Sequence, residues 1–364
     1  MRAEPESPAP VNQISKGVNK MKTFVTKEIT RAPLVHASQR KGIIGGSQIG
    51  TIIGIDGCYS SELETYRSFI GIEENPDDSA KESFYAGNRL EEAISQWFSY
   101  DMGLKEPAKE LDFQYVDPEE KRLVLHPDRE FTVDGKRYAL ECKTASSFAM
   151  RGTKWPELEP IDRSKIPSWV PEKLEDGREL VIYDGSKSVM PGYYCQCLWY
   201  YALAGYDGVF LARLTDNRLY IYFVEADVPS ETKMYNIVRG WLKRVDNGYV
   251  PAPKTVDEAR MVYPSAYAGK VITASEKTAK LVEQLRKQQE VSEKNDKEID
   301  RLKGLIAADM GDAEVLKVDG KVAVTFKGGV QTRFDSAALK KADADTYNKY
   351  VKTINTARIF RLAN

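Results

Sequence analysis

Asp128, Glu141 and Lys143 are charged residues that the sequence places at the ends of two predicted β-strands. The strands are joined by Asp134-Gly135, a dipeptide favoured in two-residue hairpin turns. Apolar side chains alternate along both strands, as they do in a half-buried sheet; they are Phe131, Val133, Tyr138 and Leu140. Because residues two apart in a strand point to the same face, Glu141 and Lys143 are expected on one side of the hairpin.

Two carboxylates beside a lysine suit the hydrolysis of a phosphodiester. Carboxylate oxygens are ligands for hard divalent cations, and a bound cation acidifies a water and neutralises charge on the phosphate. The oxygen-rich set favours Mg²⁺ or Mn²⁺ over Zn²⁺. The chain contains only 2 histidines, which disfavours a mechanism based on histidine.

A further carboxylate is expected from a helix that is predicted to begin at Ser79 and to continue to Tyr100. Its apolar face comprises Leu90, Ile94, Trp97 and Phe98. At about 100° per residue, Glu91 lies roughly 65° from the centre of this face and Glu92 roughly 165° from it. Glu91 is therefore the carboxylate that can face the interior, with Gly87 one turn earlier on the same side. The simpler alternative is a Glu at the edge of the core in a surface ion pair.

A second helix is predicted from Pro191, which suits a first helical turn, to Gly205, a common C-terminal stop. Gln196 and Tyr200 are four residues apart and share one face of it. The rest of this helix is rich in aromatic and apolar residues. Gln196 is therefore expected to be partly buried and to need a hydrogen-bond partner.

Arg40 and Ser47 form a candidate anion pocket. Ser47 stands at the predicted start of a helix, where it fits the N-cap position, and Arg40 lies shortly upstream. The free N–H groups and the dipole at a helix N-terminus both favour a phosphate. The simpler interpretation is an ordinary capped helix.

Composition limits the class of protein. The net charge of -1 over 364 residues argues against a wholly basic nucleic-acid coat, but it leaves room for local positive charge. The cysteines are scattered and form no C-x-x-C pair, so buried thiols in a reducing cytosol are expected. No signal peptide is recognisable, and no apolar run approaches the length of a membrane span. A soluble, cytoplasmic protein with no membrane partner is therefore expected.

The sequence is expected to divide into a disordered leader over 1–22, a main domain over 23–253 and an accessory or assembly module over 265–364. Within the main domain, 145–189 is a long insertion. Its basic and aromatic residues could either hold a nucleic acid strand or anchor the loop; they are Arg151, Lys154, Trp155, Lys165 and Trp169. The module is predicted to contain a long charged helix over 274–308, a hairpin at Asp319-Gly320 and a terminal strand over 357–362.

The order of these motifs resembles the PD-(D/E)XK nuclease superfamily, and within it the YqaJ-type viral recombinases, relatives of phage lambda exonuclease and of the RecB nuclease domain. The signature is matched by Pro127-Asp128 followed by Glu141-Cys142-Lys143. The flanking motifs are matched by Gly45-Gly46-Ser47, by Gly87 to Glu91, and by Tyr194-x-Gln196 running to Gly205.

The resemblance implies a role for each residue of the signature. Asp128 and Glu141 resemble the metal-binding carboxylates, and the carbonyl of Cys142 resembles a further ligand. Glu91 resembles the helix carboxylate that completes a second metal site. Lys143 resembles the residue that orients or activates the attacking water and stabilises charge on the phosphate.

It also implies roles for the flanking motifs. Gln196 and Tyr200 match the motif that braces the site and contacts the scissile strand. Arg40 and Ser47 match the pocket that receives a 5′-phosphate in processive members. His126 stands where a small hydroxyl residue can line that pocket. This departure makes it a candidate hydrogen-bond donor to the phosphate.

The resemblance further implies a restriction-endonuclease-like α/β core, with a central mixed sheet flanked by helices, plus a small α+β C-terminal module with a long charged helix. It implies a phage or prophage exonuclease that uses one or two Mg²⁺ ions, with Mn²⁺ able to substitute. The enzyme would degrade double-stranded DNA from 5′ to 3′ and leave 3′ overhangs for a single-strand annealing protein. A homo-oligomer such as a trimeric ring is implied as well.

Two alternatives remain open at this stage. One is a restriction-type or structure-specific endonuclease. The other is a non-catalytic DNA-binding or assembly protein that has kept a nuclease fold; the presence of Asp128, Glu141 and Lys143 together argues against it, because a decayed nuclease is expected to lose at least one of them.

Overall fold

The computed structural model describes residues 30–35, 41–72, 78–145, 155–352 and 358–362, apart from the side chains of 78–84. Several sequence predictions lie outside the described residues: the leader 1–22, Arg40, Arg151 and Lys154. The chain divides into two compact units, the first ending at Ala252 and the second beginning at Pro253.

A mixed sheet forms the centre of the first unit. The described strands of this unit are β1 (Thr30–Pro33), β2 (Phe113–Val116), β3 (Val124–Leu125), β4 (Arg129–Val133), β5 (Lys136–Ala145), β6 (Ile182–Asp184), β7 (Gly208–Thr215) and β8 (Arg218–Val224). Five of them form a sheet in the order β4-β5-β7-β8-β6, and β1, β2 and β3 form a smaller sheet. In the larger sheet, β5 runs parallel to β7 and β6 parallel to β8, whereas β4-β5 and β7-β8 are antiparallel.

Helices cover both faces of this sheet. They are α1 (Gly46–Ile52), α2 (Glu62–Phe69), α3 (Asp78–Asp101), α4 (Gly185–Ser188), α5 (Pro191–Ala204) and α6 (Val228–Asp246). Because a strand sends alternate side chains to opposite sides, Ala139 of β5 joins the apolar cluster of α5 and α6, while Leu140 joins that of α3. Each large apolar side chain buried in these cores contributes roughly 1.5–3 kcal/mol. The expected restriction-endonuclease-like fold is confirmed.

Two predicted elements that carry site residues are present. Asp134 and Gly135 have φ angles of 50° and 73°, as the mirror-image hairpin turn requires, and β4 pairs with β5 on either side of them. Helix α5 begins at Pro191 and stops at Gly205, which adopts the left-handed conformation. These two predictions are confirmed.

Helix α3 faces the sheet at a different angle from the one predicted. Its buried residues are Ile94, Ser95, Phe98 and Ser99, whereas Leu90 and Trp97 are exposed. The serines are buried because their hydroxyls are hydrogen-bonded: Ser99 Oγ accepts from the N–H of Ala108 at 3.0 Å. The rotation brings Glu91 into line with the buried row, since residues four and seven apart share a face.

The described part of the predicted insertion contains regular secondary structure. It contributes β6, which pairs with β8 at one edge of the sheet, the short helix α4, and a 3₁₀ turn over Arg163–Lys165. Trp169 packs edge-on against Phe131 and Tyr138, with ring centroids 5.8 and 5.2 Å apart. Of the two open interpretations for this residue, the structure supports the loop anchor.

The second unit is small and contains both helices and strands. Its described elements are α7 (Val256–Val262), α8 (Glu276–Met310), β9 (Val315–Val318), β10 (Lys321–Thr325), α9 (Ser336–Ala342) and α10 (Ala344–Tyr350). The predicted long helix and the hairpin at Asp319-Gly320 are confirmed. The predicted terminal strand is wrong for residues 358–362, which pair with no described strand, and a strand depends on a partner for its hydrogen bonds.

Among the described residues, no helix is both long and apolar enough to cross a membrane.

Candidate active site

Asp128 is fixed to the end of β5 by a backbone hydrogen bond. It lies just before β4, and its Oδ2 accepts from the N–H of Cys142 at 2.7 Å. This N–H is available because the β4-β5 ladder ends at the pair Arg129–Leu140. The N–H and C=O of one strand residue point to the same edge, so the Cys142 carbonyl faces the edge at which Asp128 lies.

Glu141 is buried under donors from α5. It is only 1% exposed; Gln196 Nε2 donates to its Oε1 at 2.7 Å, and the Tyr200 hydroxyl donates to its Oε2. Gln196 Nε2 also lies 3.1 Å from the Tyr200 hydroxyl. The expectation that Gln196 is buried and needs a partner is confirmed, and the partner is a carboxylate of the site.

Lys143 lies two residues further along β5 and pairs with Glu141. Its Nζ is 4.8 Å from the ring centroid of Tyr193, in the first turn of α5. Burial lowers the pKa of Lys143, but the charges of Glu141 and Asp128 outweigh it and leave the pKa raised. The ammonium therefore keeps its charge at neutral pH.

Glu91 and Glu92 both reach Arg129, the first residue of β4. One guanidinium nitrogen of Arg129 bonds to Glu91, and the other donates to Glu92 at 2.9 Å. The Arg129 side chain is almost fully buried. Arg129 was not predicted from the sequence, since an arginine in a strand is ordinarily an exposed residue; its position directly after Asp128 was the available signal.

Burial and neighbouring carboxylates raise the pKa of Asp128 and of Glu91. Burial, and after it the charge of Glu141, raises the pKa of Asp128 well above its usual range, and Glu91 adds to the effect. Burial also raises the pKa of Glu91, against the opposing influence of Arg129. Carboxylates whose charged forms are destabilised in this way suit a hard divalent cation, which would compensate their charge.

The carboxylates do not yet converge on a single point. Within the described residues, no three His, Cys, Asp or Glu side chains are grouped so that they could hold a metal ion. Each carboxylate is bonded to the protein instead: Glu91 to Arg129, Asp128 to Cys142, and Glu141 to α5 and Lys143. Metal binding would require Glu91 and Glu141 to exchange at least one of these contacts for the ion.

The start of α1 packs against the same site. A Cβ added to Gly46 would lie 3.2 Å from Gln196 and 3.3 Å from Tyr200, so only glycine fits without displacing a neighbour. The predicted N-cap at Ser47 is wrong: the N-cap is Gly45, whose N–H donates to Gln48 Oε1 at 2.9 Å. Ser47 is the second helical residue, and it is exposed.

The structure shows the contacts of two further predicted residues, His126 and Gly87, which the sequence did not reveal. His126 Nε2 donates to the carbonyl oxygen of Leu111 at 3.0 Å, so its proposed contact with a phosphate would have to use the other ring nitrogen. Gly87 faces the end of β5, where an added Cβ would lie 3.9 Å from Thr144 Oγ1. This is an ordinary contact, so the structure does not require glycine at this position.

One family model matches the chain, and several solved structures are similar to it. Residues 36–207 match the family model of the YqaJ-like viral recombinase domain. Among solved structures, the alkaline exonuclease LHK-Exo from Laribacter hongkongensis is similar at 14% identity, covering 57% of this chain and 90% of its own, with a TM-score of 0.39. The structure of LHK-Exo in complex with dAMP is similar at 13% identity, with 62% and 96% covered and a TM-score of 0.39. No curated protein was found to match the sequence.

Proposed function

Because residues 36–207 are a YqaJ-like viral recombinase domain, we propose that this protein is a metal-dependent DNA exonuclease that degrades one strand of a duplex end from 5′ to 3′. The product would be a 3′ overhang. The observation that carries the proposal is the setting of Glu141, which receives Gln196 and Tyr200 from α5 and pairs with Lys143 on its own strand.

Mg²⁺ is the proposed cofactor, as one or two ions, with Mn²⁺ able to replace it. Asp128, Glu141 and the carbonyl of Cys142 would hold one ion, and Glu91 would complete a second site. An ion held there would acidify the attacking water and neutralise charge on the scissile phosphate. The oxygen donors and the raised pKa of Asp128 support this assignment.

Lys143 supplies positive charge rather than a base. Its raised pKa keeps the ammonium protonated, so it donates hydrogen bonds to a phosphate oxygen or to the attacking water and stabilises the charge that develops in the transition state. Gln196 and Tyr200 would orient Glu141 through their hydrogen bonds to it, and Gln196 would contact the scissile strand as well.

The proposed substrate is the end of double-stranded DNA. Arg40, Ser47 and His126 would receive the 5′-phosphate, near the point where α1 packs against Gln196. The 3′ overhang suits a single-strand annealing protein as the next partner in phage-type recombination. A homo-oligomer, such as a trimeric ring around the DNA, completes the proposal.

Digestion of defined substrates tests this function. Linear duplexes carrying a 5′-phosphate or a 5′-hydroxyl, and a covalently closed circle, are incubated with the protein in Mg²⁺ or in EDTA. We expect mononucleotides from the linear duplexes in Mg²⁺ alone, with faster release from the 5′-phosphorylated end, because the anion pocket would bind that end.

Three outcomes would contradict parts of the proposal. Cleavage of the closed circle would indicate an endonuclease. Equal rates of release from the 5′-phosphate and 5′-hydroxyl ends would contradict the proposed 5′-phosphate pocket. Binding of DNA without any cleavage in Mg²⁺ or Mn²⁺ would favour a non-catalytic DNA-binding protein on a nuclease fold.

A further inference from the structure

Three aromatic side chains form a row next to Lys143 and have no part in the chemistry described above. The ring centroids of Tyr59 and Tyr193 are 5.9 Å apart, and those of Tyr193 and Trp155 are also 5.9 Å apart. The hydroxyls of Tyr59 and Tyr193 lie 2.8 Å from each other. We call Tyr59, Tyr193 and Trp155 the aromatic wall.

The aromatic wall borders the candidate active site. Lys143 Nζ lies 4.8 Å from the ring centroid of Tyr193, the central member. The three residues come from distant parts of the chain: Tyr59 precedes α2, Tyr193 lies in the first turn of α5, and Trp155 lies between β5 and β6. The fold therefore assembles the row from three separate segments and places it next to Lys143.

Of the aromatic wall, Tyr193 packs in part against the core, but Tyr59 and Trp155 belong to neither apolar cluster of the described residues. Tyr59 is 84% exposed, and Trp155 and Tyr193 are both partly exposed. By contrast, the large aromatic residues of the core, such as Trp199 and Trp241, are fully buried. Adjacent exposed aromatic rings next to a site are typical of a surface that binds a ligand.

The buried guanidinium of Arg213 packs against Trp155, at the end of the row opposite Tyr59. The guanidinium carbon of Arg213 lies 4.2 Å from the ring centroid of Trp155 and 4.7 Å from that of Tyr220. Arg213 is 2% exposed; among the described residues no carboxylate pairs with it, and its Nε has no hydrogen-bond partner. The cation–π contact fixes the indole, and the guanidinium has no counter-ion among the described residues.

Arg213 also lies beside the catalytic lysine. Lys143 of β5 and Arg213 of β7 are paired in the parallel register, and paired residues of neighbouring strands point to the same face. Two cations thus flank the aromatic wall on one face of the sheet. Aromatic rings that alternate with positive charge are the pattern that binds single-stranded nucleic acid through its bases and its backbone.

We propose that the aromatic wall stacks the unpaired bases of the DNA strand being cut, next to the scissile phosphate. The inference rests on the proposed function, because a strand whose phosphate reaches Lys143 brings its neighbouring bases to Tyr193 and Trp155. Every base has an aromatic face, so this contact does not depend on sequence. Stacking on the wall would hold the strand open after it separates from its complement.

Binding of a short fluorescein-labelled oligothymidylate, followed by fluorescence anisotropy in EDTA, tests the inference without cleavage. Stacking of one base predicts that Trp155→Ala raises the Kd about 10-fold. Trp155→Phe keeps an aromatic face and is expected to stay within about threefold of the wild type. Tyr59→Ala, at an exposed position, is expected to raise the Kd as well. An oligoadenylate of the same length should bind the wild type with a similar Kd.

Trp97→Ala is the matched control, since Trp97 is an exposed tryptophan of α3 and has no contact with the aromatic wall; its Kd should equal that of the wild type. If Trp155→Ala does not fold, as judged by circular dichroism, Tyr59→Ala decides the matter. Unchanged binding in the folded variants, or a wild type that does not bind the probe, overturns the inference. Failure of the proposed function is seen separately, as a wild type that does not cleave linear duplex in Mg²⁺.

Discussion

Glu141 is the residue on which the elements of the site converge. Sequence patterns placed Glu141 and Lys143 on one face of a strand, and placed Gln196 and Tyr200 on one face of a helix. The contact between these two faces was expected only from the family resemblance, and the structure brings it about directly. Arg129 was not predicted, because its burial results from the packing of α3 over β4, which no local pattern encodes.

Tyr200→Phe tests whether α5 acts through Glu141. The variant removes one hydroxyl donor from a buried carboxylate, and a hydrogen bond to a charged group contributes roughly 1.5–3 kcal/mol. If the carboxylate must be oriented for catalysis, we expect kcat on linear duplex to fall about 10- to 100-fold.

Tyr201→Phe is the control for this variant. Tyr201 is the next residue of α5 and is equally buried, but its hydroxyl donates to the Val224 carbonyl at 2.5 Å and accepts from the N–H of Val209. It should lose stability with little change in kcat. Equal losses of kcat in both variants, or none in Tyr200→Phe, would mean that the Glu141 contact is only structural.

At the scale of elements, the strongest patterns predicted the hairpin and α5, because the turn and cap residues agree with the apolar periodicity there. Strand β6 escaped prediction since it has only three residues and depends on β8 for its pairing. The orientation of α3 was mispredicted because Ser95 and Ser99 are buried through hydrogen bonds, whereas an apolar pattern assigns serine to the surface.

Helix α6 carries a pH-sensitive group away from the site. Glu231 is 0% exposed; its Oε1 accepts from the N–H of Asp227 at 2.8 Å, and its Oε2 has no hydrogen-bond partner among the described residues. Burial raises the pKa of Glu231 from 4.5 to about 7. The folded state therefore binds this proton more tightly than the unfolded state does.

Glu231 therefore makes the folded state less stable as the pH rises. The stabilisation from protonated Glu231 is fully present below the unfolded pKa, decreases as the pH rises, and is lost above the folded pKa, a change on the order of 2–3 kcal/mol. Glu231→Gln removes the titration. Urea unfolding at about pH 5 and about pH 8 should show that the variant gains stability relative to the wild type at the higher pH. A difference that does not change with pH would contradict the assignment.

At the scale of the whole molecule, the second unit has an apolar stripe that the described residues leave half-exposed. Half-exposed apolar side chains follow one side of α8; they include Leu281, Ile299, Leu302 and Leu305. Helices in water derive most of their stability from packing such a face. The sequence predicted the helix, but it could not identify the partner of this stripe, which we propose is a second copy of α8 in the homo-oligomer.

Leu302→Glu should lower the molar mass measured by light scattering, because it introduces a charge into the proposed contact. Ala308→Glu is the matched control, since it adds the same charge about 120° around the helix. A wild type that is monomeric at all concentrations, or a Leu302→Glu variant with unchanged mass, would contradict assembly through α8.

The rate of nucleotide release from linear duplex in Mg²⁺, compared between wild type, Asp128→Asn and Asp134→Asn, tests the central claim most directly. Asp134→Asn makes the same chemical change on the same hairpin and keeps a favoured turn. The metal site at Asp128 predicts a loss of roughly three orders of magnitude or more for Asp128→Asn and a near-normal rate for Asp134→Asn. An Asp128→Asn protein that digests DNA as fast as the wild type would contradict the account.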